Sequence, residues 1–161
     1  MRNVVDYAID CMDKLDRIGI PYGNIVEVTV NTRATRRFGQ CRRLPSGDFT
    51  INISDILLDE RNSDTQLIQT MFHEILHTIP GCFNHGKEWQ RYADIVNRQY
   101  GTNVARTSSA ANLTIQKEVY YKYRFVCENC GQEIKRQRES DFVKHYKSYT
   151  CGCCGGHFIK I

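Results

Sequence analysis

Apolar residues at Val4, Val5, Ala8, Ile9, Met12, Leu15 and Ile18 recur every three or four positions, and Gly19 with Pro21 closes the run. That spacing predicts an amphipathic helix with one buried stripe. Residues 25–30, 37–44 and 49–53 read as short strands, the last two joined by a turn at Pro45-Ser46-Gly47-Asp48. A small antiparallel sheet is the simplest assembly of the three. A second helix should follow Asp64 as N-cap, carrying Leu67, Ile68, Met71, Phe72, Ile75, Leu76 and Ile79 until Pro80-Gly81 stops it. A third should run from near Gly86 to Gly101, with Trp89, Tyr92, Ala93, Ile95 and Val96 on its apolar side. Residues 102–116 lack periodicity, and a tyrosine-rich, strand-like run follows at 120–126. The pattern predicts an α+β fold. A domain over residues 1–101 packs three helices with a small antiparallel sheet, 102–118 is a linker or draped connection, and 119–161 is a small β-rich module.

The second helix carries His73-Glu74-Ile75-Leu76-His77. Two histidines four apart project from adjacent turns and can grip one ion. At about 100° per residue, both fall roughly opposite the centre of the helix's apolar residues, with Glu74 flanking them. The carboxylate can then stay out of the ligand set and act as a general base toward water. A catalytic zinc usually takes three protein ligands. The position six residues after His77, where metzincins carry their third histidine, is Phe83, which disfavours that family. His85 lies eight residues on, beyond a Pro80-Gly81 break that can turn the chain back, with Glu88 and Cys82 as rivals.

Cys127-Glu128-Asn129-Cys130-Gly131 and Cys151-Gly152-Cys153-Cys154-Gly155 form two knuckles separated by 20 residues. The spacing predicts a four-cysteine zinc ribbon, a closed structural site formed by Cys127, Cys130, Cys151 and Cys154. Cys153 is an alternative to Cys154. The matched two-residue spacing favours Cys154.

Residues 36–41, Arg36-Arg37-Phe38-Gly39-Gln40-Cys41, and 51–54, Ile51-Asn52-Ile53-Ser54, precede the histidine motif, and His85-Gly86-Lys87-Glu88-Trp89 follows it. In this order the segments resemble the SprT-like metalloprotease family, which includes the eukaryotic Spartan proteases that degrade proteins crosslinked to DNA. The resemblance implies a zincin-like fold and His85 as third ligand beside His73 and His77. It also implies a zinc metalloendopeptidase acting on DNA-bound or DNA-crosslinked proteins. Two zinc ions are expected, one catalytic and one structural. The stretch 78–84 is shorter than the corresponding loop in several members, and no partner-recruiting tail is expected after the cysteine module.

Charge sharpens the view of the second module. Residues 1–100 carry 12 Lys+Arg against 13 Asp+Glu, whereas 101–161 carry 10 against 5. Tyr121, Tyr123, Arg124, Lys135, Arg136, Arg138, Lys144 and Lys147 interleave aromatic and basic residues around the knuckles. Such a surface could track a phosphate backbone and stack unpaired bases. Equally, the aromatics could be the ribbon's own small core. The expected partners are a protein substrate and DNA, particularly single-stranded, for a chain that acts as a monomer. With no apolar leader and no run of about 18 apolar residues, a cytoplasmic protein away from membranes is expected, nucleoid-associated in a prokaryotic or viral setting. Three other readings stay open: a zinc-ribbon nucleic-acid binder with a vestigial histidine motif, a regulatory protease that cuts one repressor, and a zinc hydrolase of a non-peptide substrate.

Overall fold

Helix α1 (Val4–Arg17) begins where the Asn3 side chain accepts the Val5 N–H at 3.0 Å, satisfying a donor that the first helical turn leaves free. The structure, a computed structural model, describes residues 1–161 except for the side chain of Asn112. The buried stripe of α1 is Val4, Ala8, Cys11 and Leu15. Val5 and Ile9, expected in that stripe, are 45% and 49% exposed. The expected set spans too wide an arc for one contact line, and Cys11 takes a place that the pattern had left to larger residues.

Strands β1 (Ile25–Asn31), β2 (Gly39–Arg43) and β3 (Phe49–Ser54) form a sheet in the order β1-β3-β2. β2 and β3 make the expected hairpin, its turn closed by the Leu44 N–H on the Asp48 carbonyl at 2.8 Å, with Gly47 at φ +93°. β1 instead runs parallel to β3, so the sheet is mixed and the expected all-antiparallel sheet is corrected. The reason is apolar content. Phe49, Ile51 and Ile53 make β3 the most buried strand, and a buried strand gains most from neighbours on both edges. Residues 32–38 reverse the chain between β1 and β2, which leaves β1 pointing along β3.

Helix α2 (Thr65–Leu76) lies against β2 and β3, and α1 and α3 (Lys87–Tyr100) flank it. Leu67, Met71, Phe72, Ile75 and Leu76 of α2 are completely buried. Asp64 precedes α2 as expected, but its carboxylate caps nothing there and accepts from the Tyr7 hydroxyl at 3.3 Å. The α-helix also ends earlier than its apolar pattern. His77 is the C-cap, and Thr78 and Ile79 continue as tight turns bonded three residues back.

The compact unit extends to Lys117, and a second comprises Glu118–Ile161. Of the expected linker or draped connection, 102–118, all but Glu118 falls in the first unit. Val104 and Leu113 enter its core. The segment shows no periodicity because polar ties hold it. The Asn97 side chain bonds both the N–H and the carbonyl of Val104, at 2.7 and 3.0 Å. Asn62, 2% exposed, accepts the Ile115 N–H at 2.8 Å and donates to the carbonyls of Ile115 and Ile56 at 3.2 and 2.9 Å. Lys117 pairs with Asp55.

In the second unit, β4 (Tyr123–Cys127) is flanked by β5 (Glu133–Arg136) and β6 (Phe158–Lys160), both antiparallel to it. Short helix α4 (Asp141–His145) completes a core of Phe125, Val143, Phe158, Cys127 and Cys151. Among the described residues no helix is long and apolar enough to cross a membrane.

Asn62→Ala should lower stability by about 2–3 kcal/mol in urea unfolding, because it leaves the Ile115 N–H and two carbonyls without partners. The 113–117 segment should become sensitive to limited proteolysis. A variant with unchanged midpoint and cleavage pattern would show that the clamp holds nothing.

Candidate functional site

His73 and His77 leave α2 on the side away from its buried stripe, as helix arithmetic requires, yet that side is only partly open to solvent. Residues 80–85 and 102–109 fold over it, and His77 is only 9% exposed. The first segment carries His85. The Nε2 atoms of the three rings converge: His73 to His77 3.1 Å, His77 to His85 3.1 Å and His73 to His85 2.9 Å.

What lies behind two of these rings defines their protonation. The Nδ1 of His73 is 2.8 Å from the Ala105 carbonyl and that of His77 is 2.8 Å from the Cys82 carbonyl. A carbonyl can only accept, so each Nδ1 carries the proton, and each neutral ring turns a lone pair inward from Nε2. Burial holds His73 down to about 4, and burial likewise lowers His77 and His85, so neutral rings are the rule near pH 7. Converging lone pairs repel unless a cation lies between them. The three histidines could therefore hold a metal ion.

Trp89 of α3 supports the group from below. Its ring meets those of His73, His77 and His85 at centroid distances of 4.8, 5.7 and 4.7 Å. The His85 carbonyl accepts from Arg106 at 2.8 Å and from the Gln90 side chain at 2.9 Å. Of the rival ligands, Glu88 points to Arg91 at 3.0 Å on the exposed side of α3, and buried Cys82 contributes its carbonyl.

Glu74, 6% exposed, points toward β2. Burial pushes its carboxyl up to about 7, opposed by the Cys41 backbone N–H and by the Arg37 charge. A Cβ on Gly39 would fall 2.4 Å from the Glu74 Oε1, so the carboxyl occupies space that only glycine leaves open. His73 and Glu74 also line a polar cleft of about 470 Å³ with Arg36, Arg37 and Arg106. Gly39 has a sequence signal, a lone glycine inside a strand pattern. The Ala105 and Cys82 carbonyls have none, because a backbone oxygen leaves no mark on residue identity.

In the second unit the Cys127, Cys130, Cys151 and Cys154 sulfurs all lie within 4.8 Å of one another and could hold a second ion. The knuckles repeat one backbone pattern. Gly131 N–H bonds the Cys127 carbonyl at 3.0 Å and Gly155 N–H the Cys151 carbonyl at 2.7 Å, both glycines at φ +73°. Cys154 therefore stands where Cys130 stands in the first knuckle. Cys153 is exposed, its sulfur 3.9 Å from the Gln132 side chain.

Residues 12–110 match the SprT-like family. The chain belongs to the SprT-like family. A relative, the germ cell nuclear acidic-1 protein of Caenorhabditis elegans, is 26% identical over 140 residues, covering 83% of this chain and 25% of that protein. The chain thus spans about a quarter of that relative's length. No solved structure matches significantly.

For this SprT-like chain, strand alternation divides the expected basic and aromatic patch. Tyr121, Arg124 and Lys135 line one shallow cavity of about 580 Å³. Tyr123 packs at the edge of the ribbon core and Arg136 lies 5.7 Å from the Phe142 ring centroid. Arg138, Lys144 and Lys147 are exposed and lie outside that cavity.

The full chain should bind two equivalents of zinc by elemental analysis, and His85→Ala and Cys154→Ser should each lose about one. Cys153→Ser should keep both. Full zinc content in His85→Ala would exclude it as a ligand.

Proposed function

We propose that the SprT-like chain is a zinc-dependent endopeptidase acting on DNA-bound or DNA-crosslinked proteins. The observation that carries this reading is the inward convergence of three neutral imidazoles beside a buried carboxyl. Ligands at about 2.0–2.1 Å around a tetrahedral zinc sit roughly 3.3 Å from one another, close to the observed nitrogen triangle, and three ligands leave a fourth position free. The four thiols suit a closed zinc site whose contribution is to fold a unit with a small core. In both units we read zinc as the resident ion, and in the first a zincin-like arrangement.

When bound in the first unit, zinc supplies Lewis acidity, polarising a peptide carbonyl and acidifying a water. His73, His77 and His85 hold it, kept in register by the Ala105 and Cys82 carbonyls and by Trp89. Glu74 takes the proton as water adds to the carbonyl carbon, then returns it to the nitrogen as the C–N bond breaks. Gly39 keeps the space in which the carboxyl moves. Arg36, Arg37 and Arg106 give the adjoining cleft positive charge, suited to acidic or polar side chains of the substrate.

DNA recognition we assign to the second unit, on the face where Tyr121 adjoins Arg124 and Lys135. Tyr120 and Tyr121 line it beside Arg124 and Lys135, whose shared partner Glu133 lies at 3.6 and 2.9 Å and would give way to phosphates, an arrangement suited to an unpaired base.

Glu74→Gln should retain both zinc equivalents and lose at least about 100-fold in cleavage of a DNA-bound protein. Undiminished, chelator-sensitive cleavage by that variant would remove Glu74 from its role. Tyr121→Ala should weaken binding of a single-stranded oligonucleotide by roughly 5- to 100-fold in fluorescence anisotropy, the range of one lost stacking contact. Unchanged affinity would move DNA recognition off this face.

A further inference from the structure

We propose that the cavity on the Thr78–Phe83 side of the three histidines is a subsite for a bulky apolar side chain adjoining the bond to be cut. It rests on the peptidase reading above and adds to it the class of residue selected.

The cavity has a volume of about 870 Å³, and one of its walls is His77 itself. Phe83, another wall residue, has its ring centroid 6.5 Å from that of His77, so the cavity adjoins the His77 side of the proposed zinc. Pro21, Phe49, Ile79, Pro80 and Phe83 give the remaining wall its apolar side chains, with Arg43 the one charged side chain among the described lining residues. An ammonium entering here would shed water and meet the like charge of Arg43, and a carboxylate would find Arg43 as its one cationic partner among apolar walls. An aromatic or branched aliphatic side chain loses only unfavourable hydration.

The walls are formed in advance. The Gly23 N–H donates to the Thr78 hydroxyl at 2.8 Å, and that hydroxyl donates to the Ile75 carbonyl at 2.7 Å, so the 21–24 loop is tied to the end of α2. Position 23 admits no side chain: a Cβ would sit 2.5 Å from the Phe49 ring. Phe83, 59% exposed, extends the apolar wall toward solvent. A rigid, preformed pocket binds without first paying for its own ordering.

The opposite flank has the reverse character. His73 and Glu74 open onto the cleft lined by Arg36, Arg37 and Arg106. A polypeptide lying across the three histidines meets apolar walls beside His77 and cationic walls beside His73. The side of the scissile bond that carries the apolar residue is thereby assigned to the His77 flank.

The test uses the full zinc-loaded chain on a library of unstructured peptides, with cleavage sites read by mass spectrometry. Phe, Tyr, Leu or Met should be enriched at least about tenfold over Asp and Gly at one of the two positions flanking the cut. Phe83→Ala should reduce that ratio. Cleavage without apolar enrichment overturns the subsite and leaves the peptidase reading intact. Binding is measured separately by amide NMR with N-acetyl-phenylalanine amide and N-acetyl-aspartic acid amide as probes. Selective shifts from the phenylalanine probe at Gly23, Ile79, Gly81 and Phe83 support the cavity even in a chain that cuts nothing, in which case the peptidase reading fails instead. Shifts from neither probe, or equal shifts from both, overturn the subsite.

Discussion

Two backbone carbonyls, those of Ala105 and Cys82, dictate which nitrogen of His73 and His77 carries a proton. Once Nδ1 is committed, the inward nitrogens of those two rings can only offer lone pairs, and with the His85 Nε2 also within about 3 Å the three rings could hold a cation at their centre. Much of the first unit serves that constraint. α2 projects two rings from successive turns, the 80–85 loop returns with the third, and the 102–117 segment brings the Ala105 carbonyl over the helix. That segment stays in place through Asn97, Asn62 and Lys117, whose bonds span up to 85 residues of sequence.

The two candidate metal centres differ in how they are closed. The four sulfurs of the second unit surround their centre from two matched knuckles and leave no ligand position unfilled for a tetrahedral ion. The three nitrogens of the first unit leave one. The difference follows from chemistry and position: thiols at a pair of tight turns can approach from all sides, whereas imidazoles from one helix and one loop approach from one side only. A closed centre contributes stability to a unit with few core residues, and an open one can meet substrate.

The surroundings of the open centre are sorted by polarity. Gly39, Glu74 and three arginines stand on one flank, and prolines and aromatics on the other. The sorting arises from the fold. The polar flank is where the segment 36–39 and the residues after α3 meet α2, and the apolar flank is where the loop after α1 and the β2-β3 hairpin meet the end of α2.

By itself the amino-acid sequence determined the first three helices, though not α4, and the hairpin, the histidine motif and the paired knuckles, because each is written in residues a few positions apart: apolar spacing, turn glycines, a four-residue histidine interval, Cys-x-x-Cys. Its family likeness reached the third histidine. Strand order was beyond it, since the parallel pairing of β1 with β3 follows from which strand takes the centre, a matter of competition for burial among all three. So was the stripe of α1, where Cys11 replaced Val5 and Ile9. Only the tertiary structure decided that residues 102–117 drape over α2 and do not serve as a linker, that Glu74 fills the space beside Gly39, and that the Ala105 and Cys82 carbonyls set two tautomers. These are contacts between distant segments, two of them made by backbone oxygen, and a backbone oxygen is the same in every residue.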